Sequence, residues 1–390
     1  MSQLIILGNG FDLTCGLNSR YSDFFENRLS EEQIEIIFSS YQAYKECLEM
    51  NQSRSISYNI SKSIHELFSN ITIWDLIFHM NKLHKDVNWC DVENIMDNFL
   101  NNTDTNKNIN IYIKDIEHAL ARRGKKIDIK TITSNHVSEE MYYAYFIVDF
   151  YETAKHSISN YDLPKFFMDE LRILEHAFSY YLIKSSGYEA PEYKNRSIAL
   201  LKKIKNSPEE SPLENCNILN FNYTSPIIEN NYNRIKLQNM VHVHGSLEDD
   251  NIIFGIDQNR IPSNSPAYSF TKTYRKFLSM KSYQDENHSP LLKRDTKQIK
   301  FFGHSLSQLD YSYFQSIFDF YNIYDNNIQL FFFYTIYDQN LKENIKNDFI
   351  NSVVTLISDY GESLDNKDHG KNLIHKLMLE NRILIEEIKR

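Results

Sequence analysis

Four short apolar runs along the chain end abruptly in Gly, Asn or His, and this pattern organises everything else. Leu4 to Leu7 runs into Gly8-Asn9-Gly10, and Ile218-Leu219 into Asn220-Phe221-Asn222-Tyr223-Thr224. Met240 to Val243 runs into His244-Gly245-Ser246, and Ile299 to Phe302 into Gly303-His304-Ser305. Short, mainly apolar runs of this kind predict strands buried on both faces, each with a polar carboxyl end. Two further strands are expected at Ile252 to Phe254 and at Gln329 to Tyr334, where aromatic and β-branched residues cluster.

From about residue 23 to 212 the period changes to that of helices, with few glycines. Phe167, Leu171, Leu174, Phe178 and Leu182 fall on one helical stripe, while Asp169, Glu170 and Arg172 lie off it. Polar stretches at Asn101 to Asn110 and Ser185 to Leu213 read as loops. After Asp338 the pattern is again helical, with Leu373, Leu377, Ile383, Leu384 and Ile388 forming an amphipathic end. The expected architecture is α/β: a Rossmann-like, mostly parallel sheet with a large helical insertion. Residues 1–22 and 213–345 would form the nucleotide-binding core, 23–212 the insertion, and 346–390 a C-terminal helical segment. Ligands of open parallel sheets sit beyond the carboxyl ends of the strands, so the four polar ends predict one shared site.

Composition narrows the function classes. With 390 residues, 42% hydrophobic, 25 Phe and 26 Tyr, the chain can build a sizeable core. A formal charge of -10 gives no basic field for a nucleic-acid backbone. No apolar run reaches membrane-spanning length and the first residues lack a secretory pattern, so a cytoplasmic protein without a membrane partner is expected. Cys15, Cys47, Cys90 and Cys216 form no CxxC pair, and no metal site is expected. Cys15 reads as a packed thiol.

Glycine is scarce, ten in the chain, so two bracketing Asn9 directly after a strand suggest a backbone that something approaches closely. A pyrophosphate on exposed amides at a helix start is one reading; a tight turn without ligand is the other. Asp12 would cap the helix or touch a ribose hydroxyl, and Arg20 would pair with phosphate or with Asp23. Asn222 can donate to and accept from a ribose or a water, although Asn also favours such corners. His244 can act as a general base at cellular pH, or be structural. Gly303-His304-Ser305 with Asp310 offers a second glycine-opened turn for the far half of a dinucleotide, or a simple turn before a helix. Lys272, Arg275 and Lys276, within the Asp257-to-Lys300 loop, read as a solvated face with a lesser option of phosphate contact.

These residues resemble the AbiH family of bacterial abortive-infection proteins. The resemblance rests on Gly8-Asn9-Gly10-Phe11-Asp12-Leu13, Gly16-Leu17, Tyr21 and Phe24, on Trp89 to Glu93, and on Asn220 to Thr224. It continues through His244-Gly245-Ser246, Ile253 to Asp257, and Gly303 to Ser307 with Asp310. More distantly the order of motifs is similar to that of sirtuin-like NAD-binding domains. That similarity implies NAD as substrate or ligand, with Asn222 and His244 as the catalytic pair at the nicotinamide ribose. It implies a cofactor-contacting set of Gly8, Asn9, Gly10, Phe11, Asp12, Tyr223, Gly245, Gly303, His304, Ser305 and Asp310. The zinc-binding cysteine pairs of sirtuin deacylases are missing, which speaks against protein deacylation. The implied activity is hydrolysis of the nicotinamide N-glycosidic bond in phage defence; the alternative is a non-catalytic sensor of NAD or ADP-ribose. A nuclease would want a carboxylate cluster and a basic track, and Asp91 with Glu93 supplies only a pair. A small-molecule nucleotide is the expected partner, with a second copy of the chain or a phage-derived trigger as the remaining candidates.

Overall fold

In the computed structural model, described for residues 2–50, 71–84, 92–101, 113–121, 142–149, 163–205, 216–226, 239–258, 261–279 and 290–389, the chain divides into two compact units. The first comprises residues 1–19, 179–253 and 276–390, the second 20–178 and 254–275.

The first unit holds a six-stranded sheet: β1 (Ser2–Leu7), β2 (Cys216–Asn220), β3 (Asn239–His242), β4 (Thr296–Phe302), β5 (Gln329–Tyr334) and β6 (Ile383–Glu387). Their order is β3-β2-β1-β4-β5-β6 and every pairing is parallel. This is the doubly wound, Rossmann-like arrangement that the apolar runs predict. Leu4, Ile5, Ile6 and Leu7 are all fully buried, as a strand covered on both faces requires. Alternation sends them to opposite cores. Ile5 and Leu7 pack with Leu200, Leu201 and Ile204 of one helix, and Leu4 and Ile6 join a core with Phe314, Leu356 and Leu373. The helices are α1 (Gly10–Thr14), α2 (Pro191–Lys205), α3 (Tyr311–Tyr321), α4 (Lys342–Ser363) and α5 (Lys367–Leu379). The first core residues named lie on α2, the others on α3, α4 and α5.

Register places the site. Leu7 of β1 pairs with Asn220 on one side and Phe302 on the other; Asn220 pairs with His242, and Phe302 with Phe333. The carboxyl ends of five strands therefore finish in one row. The order reverses between β1 and β4, and there the turns after both strands are in backbone contact. Gly303 has φ +72°, and a Cβ added to it would lie 2.3 Å from the Phe11 nitrogen.

Several expectations are corrected. Ile252 to Phe254 is not a strand; the segment is buried, and the Ile253 amide donates to the His244 carbonyl. Ile383 and Leu384 belong to β6 rather than to a C-terminal helix, and Ile388 follows it. The helical stripe stops at Leu377 because Asn381 turns the chain in the left-handed region, φ +52°. The stretch from Ser185 is not all loop: Pro191 opens α2, whose apolar residues seal one face of the sheet. Residues 102–110, 206–213 and 89–91 lie outside the described residues.

The second unit is mainly helical in its described residues, with helices Tyr21–Arg28, Glu31–Glu49, Ile73–His84, Val92–Asn101 and Ile113–Ala121 and most of Leu163–Lys184. The predicted stripe of that last helix is buried throughout. Trp74 is fully buried and its indole N–H donates to the Phe167 carbonyl at 2.9 Å. The Arg28 guanidinium grips buried Asp75 at 3.1 and 3.0 Å. The Asp257-to-Lys300 region is not a bare loop: it contains helix Lys272–Ser279, and its cations are engaged. Lys272 pairs with Glu93 at 2.8 Å, and Arg275 pairs with Glu175. Neither is a solvated face nor free for phosphate. Lys276, in the first unit, donates to the His242 carbonyl at 2.7 Å. Among the described residues no helix is long and apolar enough to cross a membrane.

The turn-to-turn contact sets a stability prediction. Gly303→Ala should lose on the order of 3 kcal/mol in urea unfolding, because strain at positive φ adds to a clash with backbone. Gly187→Ala is the control: φ is +94° with nothing within 4 Å of the added carbon, so only about 1 kcal/mol should be lost.

Candidate functional site

The site begins where β1 ends. The Gly8 amide donates to the Phe302 carbonyl at 3.0 Å and the Gly10 amide to the Gly303 carbonyl at 2.7 Å. The Phe11 amide returns to the Gly8 carbonyl and that of Leu13 to the Asn9 carbonyl. These amides, read in the sequence as a cradle for pyrophosphate, are thus spent on protein carbonyls. The glycines are needed for close backbone approach, and what approaches is the turn after β4. A Cβ on Gly8 would lie 2.5 Å from the His304 Cα. Asn9 stands exposed at the tip, its Oδ1 accepting from Ser19 Oγ at 2.5 Å. Phe11 lies in the core, edge-on to Phe302, and does not reach the strand-end surface. The Arg20 backbone amide donates to Asp23 at 3.1 Å.

Asp12 neither caps α1 nor faces solvent. It is 1% exposed, its Oδ1 accepting from the Tyr193 hydroxyl at 2.8 Å and its Oδ2 from the Thr224 hydroxyl at 2.5 Å. Burial pushes its carboxyl up to about 7, against the lowering effect of the two hydroxyl donors. Tyr193 was invisible as a partner because 181 residues separate it from Asp12. Burial likewise pushes the Cys15 thiol up to about 12, which fits a packed residue rather than a nucleophile.

Beyond β2 the chain is held by side chains that the sequence did not single out. Asn220 Nδ2 donates to the Thr224 carbonyl at 2.8 Å, and its Oδ1 accepts from the Asn222 amide at 3.1 Å. His242 places Nδ1 3.0 Å from the Asn222 carbonyl and Nε2 3.3 Å from Ser225 Oγ. Desolvation lowers its pKa, so the ring is neutral, with Nδ1–H donating and Nε2 accepting. The alternation His242, Val243, His244 was the available signal, since positions two apart share a face. Within this frame Asn222 is 4% exposed, and its Nδ2 donates to the Gly8 carbonyl at 3.2 Å. Its Oδ1 is buried with no hydrogen-bond partner among the described residues. A buried acceptor left so costs about 1 to 3 kcal/mol.

Three more predicted residues converge beside it. Asp310, at the head of α3, lies 3.7 Å from His244 Nε2 through Oδ1 and 3.4 Å from His304 Nε2 through Oδ2. The Phe221 ring packs edge-on to both imidazoles, 4.4 Å from His304 and 5.6 Å from His244. His304, expected at the cofactor, is buried instead, and the Leu306 amide donates to its Nδ1 at 2.9 Å. Gly245 has a structural reason of its own: φ is +80°, and a Cβ would lie 1.9 Å from the Asn251 carbonyl oxygen. Tyr223 is half-buried, its hydroxyl 3.3 Å from the Ile253 carbonyl. Gly10 and Gly303 are half-exposed and Ser305 is exposed. Among the described residues no cluster of three or more His, Cys, Asp or Glu could hold a metal ion.

Asp12 makes stability depend on pH. Its carboxyl titrates near 3.8 when unfolded and about 7 when folded, so the folded state binds the extra proton between these values. Stability conferred by the neutral carboxyl is complete below about pH 4 and is lost as pH rises through about 7. Asp12→Asn should flatten that slope and be more stable than the wild type at pH 8 by at least about 1 kcal/mol. Urea midpoints measured across pH would check this; parallel curves for the two proteins would refute it.

No curated protein and no solved structure gives a significant match to the chain. The family model described as bacteriophage abortive infection AbiH matches residues 4–334, from the first strand through β5. The glycine turn, the Asn222 corner, His244 and the His304–Asp310 turn all fall within that match, and the chain belongs to the AbiH family of bacteriophage abortive infection proteins.

Proposed function

We propose that the strand ends around β1 and β4 bind NAD and hydrolyse its nicotinamide N-glycosidic bond as the chemical step of phage defence. The observation that supports this most is the Asn222 Oδ1, a buried acceptor without a partner among the described residues, held beside the point where strand order reverses. A ribose hydroxyl is a donor of the right kind for it. His244, two residues beyond β3, is the base that takes a proton from the attacking water.

The leaving group needs little acid assistance. Nicotinamide departs neutral from a cationic pyridinium, and the ribosyl carbon becomes oxocarbenium-like. The protein's work is to orient the ribose, stabilise that charge and activate the water. The carboxylate of Asp310, near His244, suits the imidazolium that forms. With the inner amides of the glycine turn occupied, the pyrophosphate is assigned to the solvent-reached residues Asn9, Gly10, Gly303 and Ser305.

Purified protein incubated with NAD should release nicotinamide, and His244→Ala and Asn222→Ala should each lose about 100-fold or more in turnover while melting cooperatively. If the wild type binds NAD, seen as a raised melting temperature, without releasing nicotinamide, a nucleotide-binding sensor replaces the hydrolase. Absence of both binding and turnover would sink the NAD reading altogether.

A further inference from the structure

His304 and His244 share one carboxylate, yet their surroundings are unequal. The Leu306 backbone amide can only donate, and it donates to His304 Nδ1 at 2.9 Å. That nitrogen must carry its lone pair, so the ring is neutral with its hydrogen on Nε2. Nε2 then faces Asp310 Oδ2 at 3.4 Å as a donor. The bond is closed over two residues, with Leu306 in the left-handed region at φ +57°, and the ring is flanked by Phe221 and Phe314. Protonating His304 would break the bond to the Leu306 amide inside a buried site. The second carboxylate oxygen, Oδ1, is 3.7 Å from His244 Nε2. Asp310, from the head of α3, and Tyr223, whose ring centre is 6.3 Å away after β2, both face His244.

We propose that Asp310 is a positioning residue for His244 and that His304, its tautomer fixed by the Leu306 amide, is the strut that holds Asp310. Asp310 holds the hydrogen of His244 on Nε2, which makes Nδ1 the ring atom that receives a proton from the nucleophile. The imidazolium so formed faces the Asp310 carboxylate. This reverses the roles that the sequence suggested for His304 and Asp310, from touching the ligand to supporting the residue that does. Its catalytic consequence rests on the NAD-hydrolase reading, whereas the arrangement of the three side chains does not.

The test is imidazole nitrogen NMR of the full-length protein with labelled histidine, resonances being assigned through His244→Gln and His304→Gln. In the wild type, His304 should carry its hydrogen on Nε2, the tautomer that the Leu306 amide requires. In Asp310→Asn the His244 midpoint should move to lower pH, and Asp310→Glu should restore it in part. If the protein does turn NAD over, the acid limb of the kcat profile should move with that midpoint while KM changes little. A His304 ring with its hydrogen on Nδ1, or a His244 midpoint indifferent to Asp310→Asn, overturns the proposal. The wild-type tautomer measurement keeps it falsifiable even if the Asp310 variants fail to fold. A wild type that shows the expected tautomers but never releases nicotinamide would sink the hydrolase reading and leave this arrangement standing.

Discussion

Backbone against backbone, the turn after β1 is pressed into the turn after β4, and the site depends on that contact. Two amide-to-carbonyl bonds, from Gly8 to Phe302 and from Gly10 to Gly303, join strands almost 300 residues apart in the chain. Side chains at these glycines would force the turns apart by more than the contact tolerates. Because the strands are parallel and in register, closing this pair also brings the ends of β2 and β3 into the same row. Asn222 is then anchored on the Gly8 carbonyl, and His244 and His304 come within reach of one carboxylate.

The polar groups at this edge are buried and, with few exceptions, internally paired. Asp12 with Tyr193 and Thr224, His242 with Asn222 and Ser225, and His304 with Leu306 and Asp310 each form a small closed set. Such sets are costly when incomplete and rigid when complete. Their rigidity gives the incomplete Asn222 its interest: it cannot relax to satisfy its Oδ1, because both its backbone carbonyl and its Nδ2 are already held. A site preorganised in this way keeps an acceptor aimed where a ligand donor can complete it.

Much of the fold was legible in the sequence. Apolar runs ending in polar turns are a local signature of buried parallel strands, and five of the six expected strands are present where the runs lie. The exceptions follow one rule. Ile252 to Phe254 is as apolar as a strand but is buried in a loop, and Ile383 to Glu387 has a helix-compatible pattern but pairs with β5. Short apolar segments say that they are buried, not what they pair with. The polar stretch from Ser185 concealed α2, whose few apolar residues suffice because only one stripe meets the sheet.

The candidate residues were likewise found through their types and their places at strand ends, while their roles were not. The sequence by itself determined a parallel sheet, a glycine turn after its first strand, and the gathering of Asn222, His244 and Asp310 at one edge, because hydrophobic period and strand direction are local properties. Only the tertiary structure decided which amides are already occupied, that Asp12 is a buried acid near neutrality, and that His304 supports Asp310. Those outcomes depend on hydrogen bonds and desolvation between residues far apart in the chain, and neither is written in the type or spacing of any one of them.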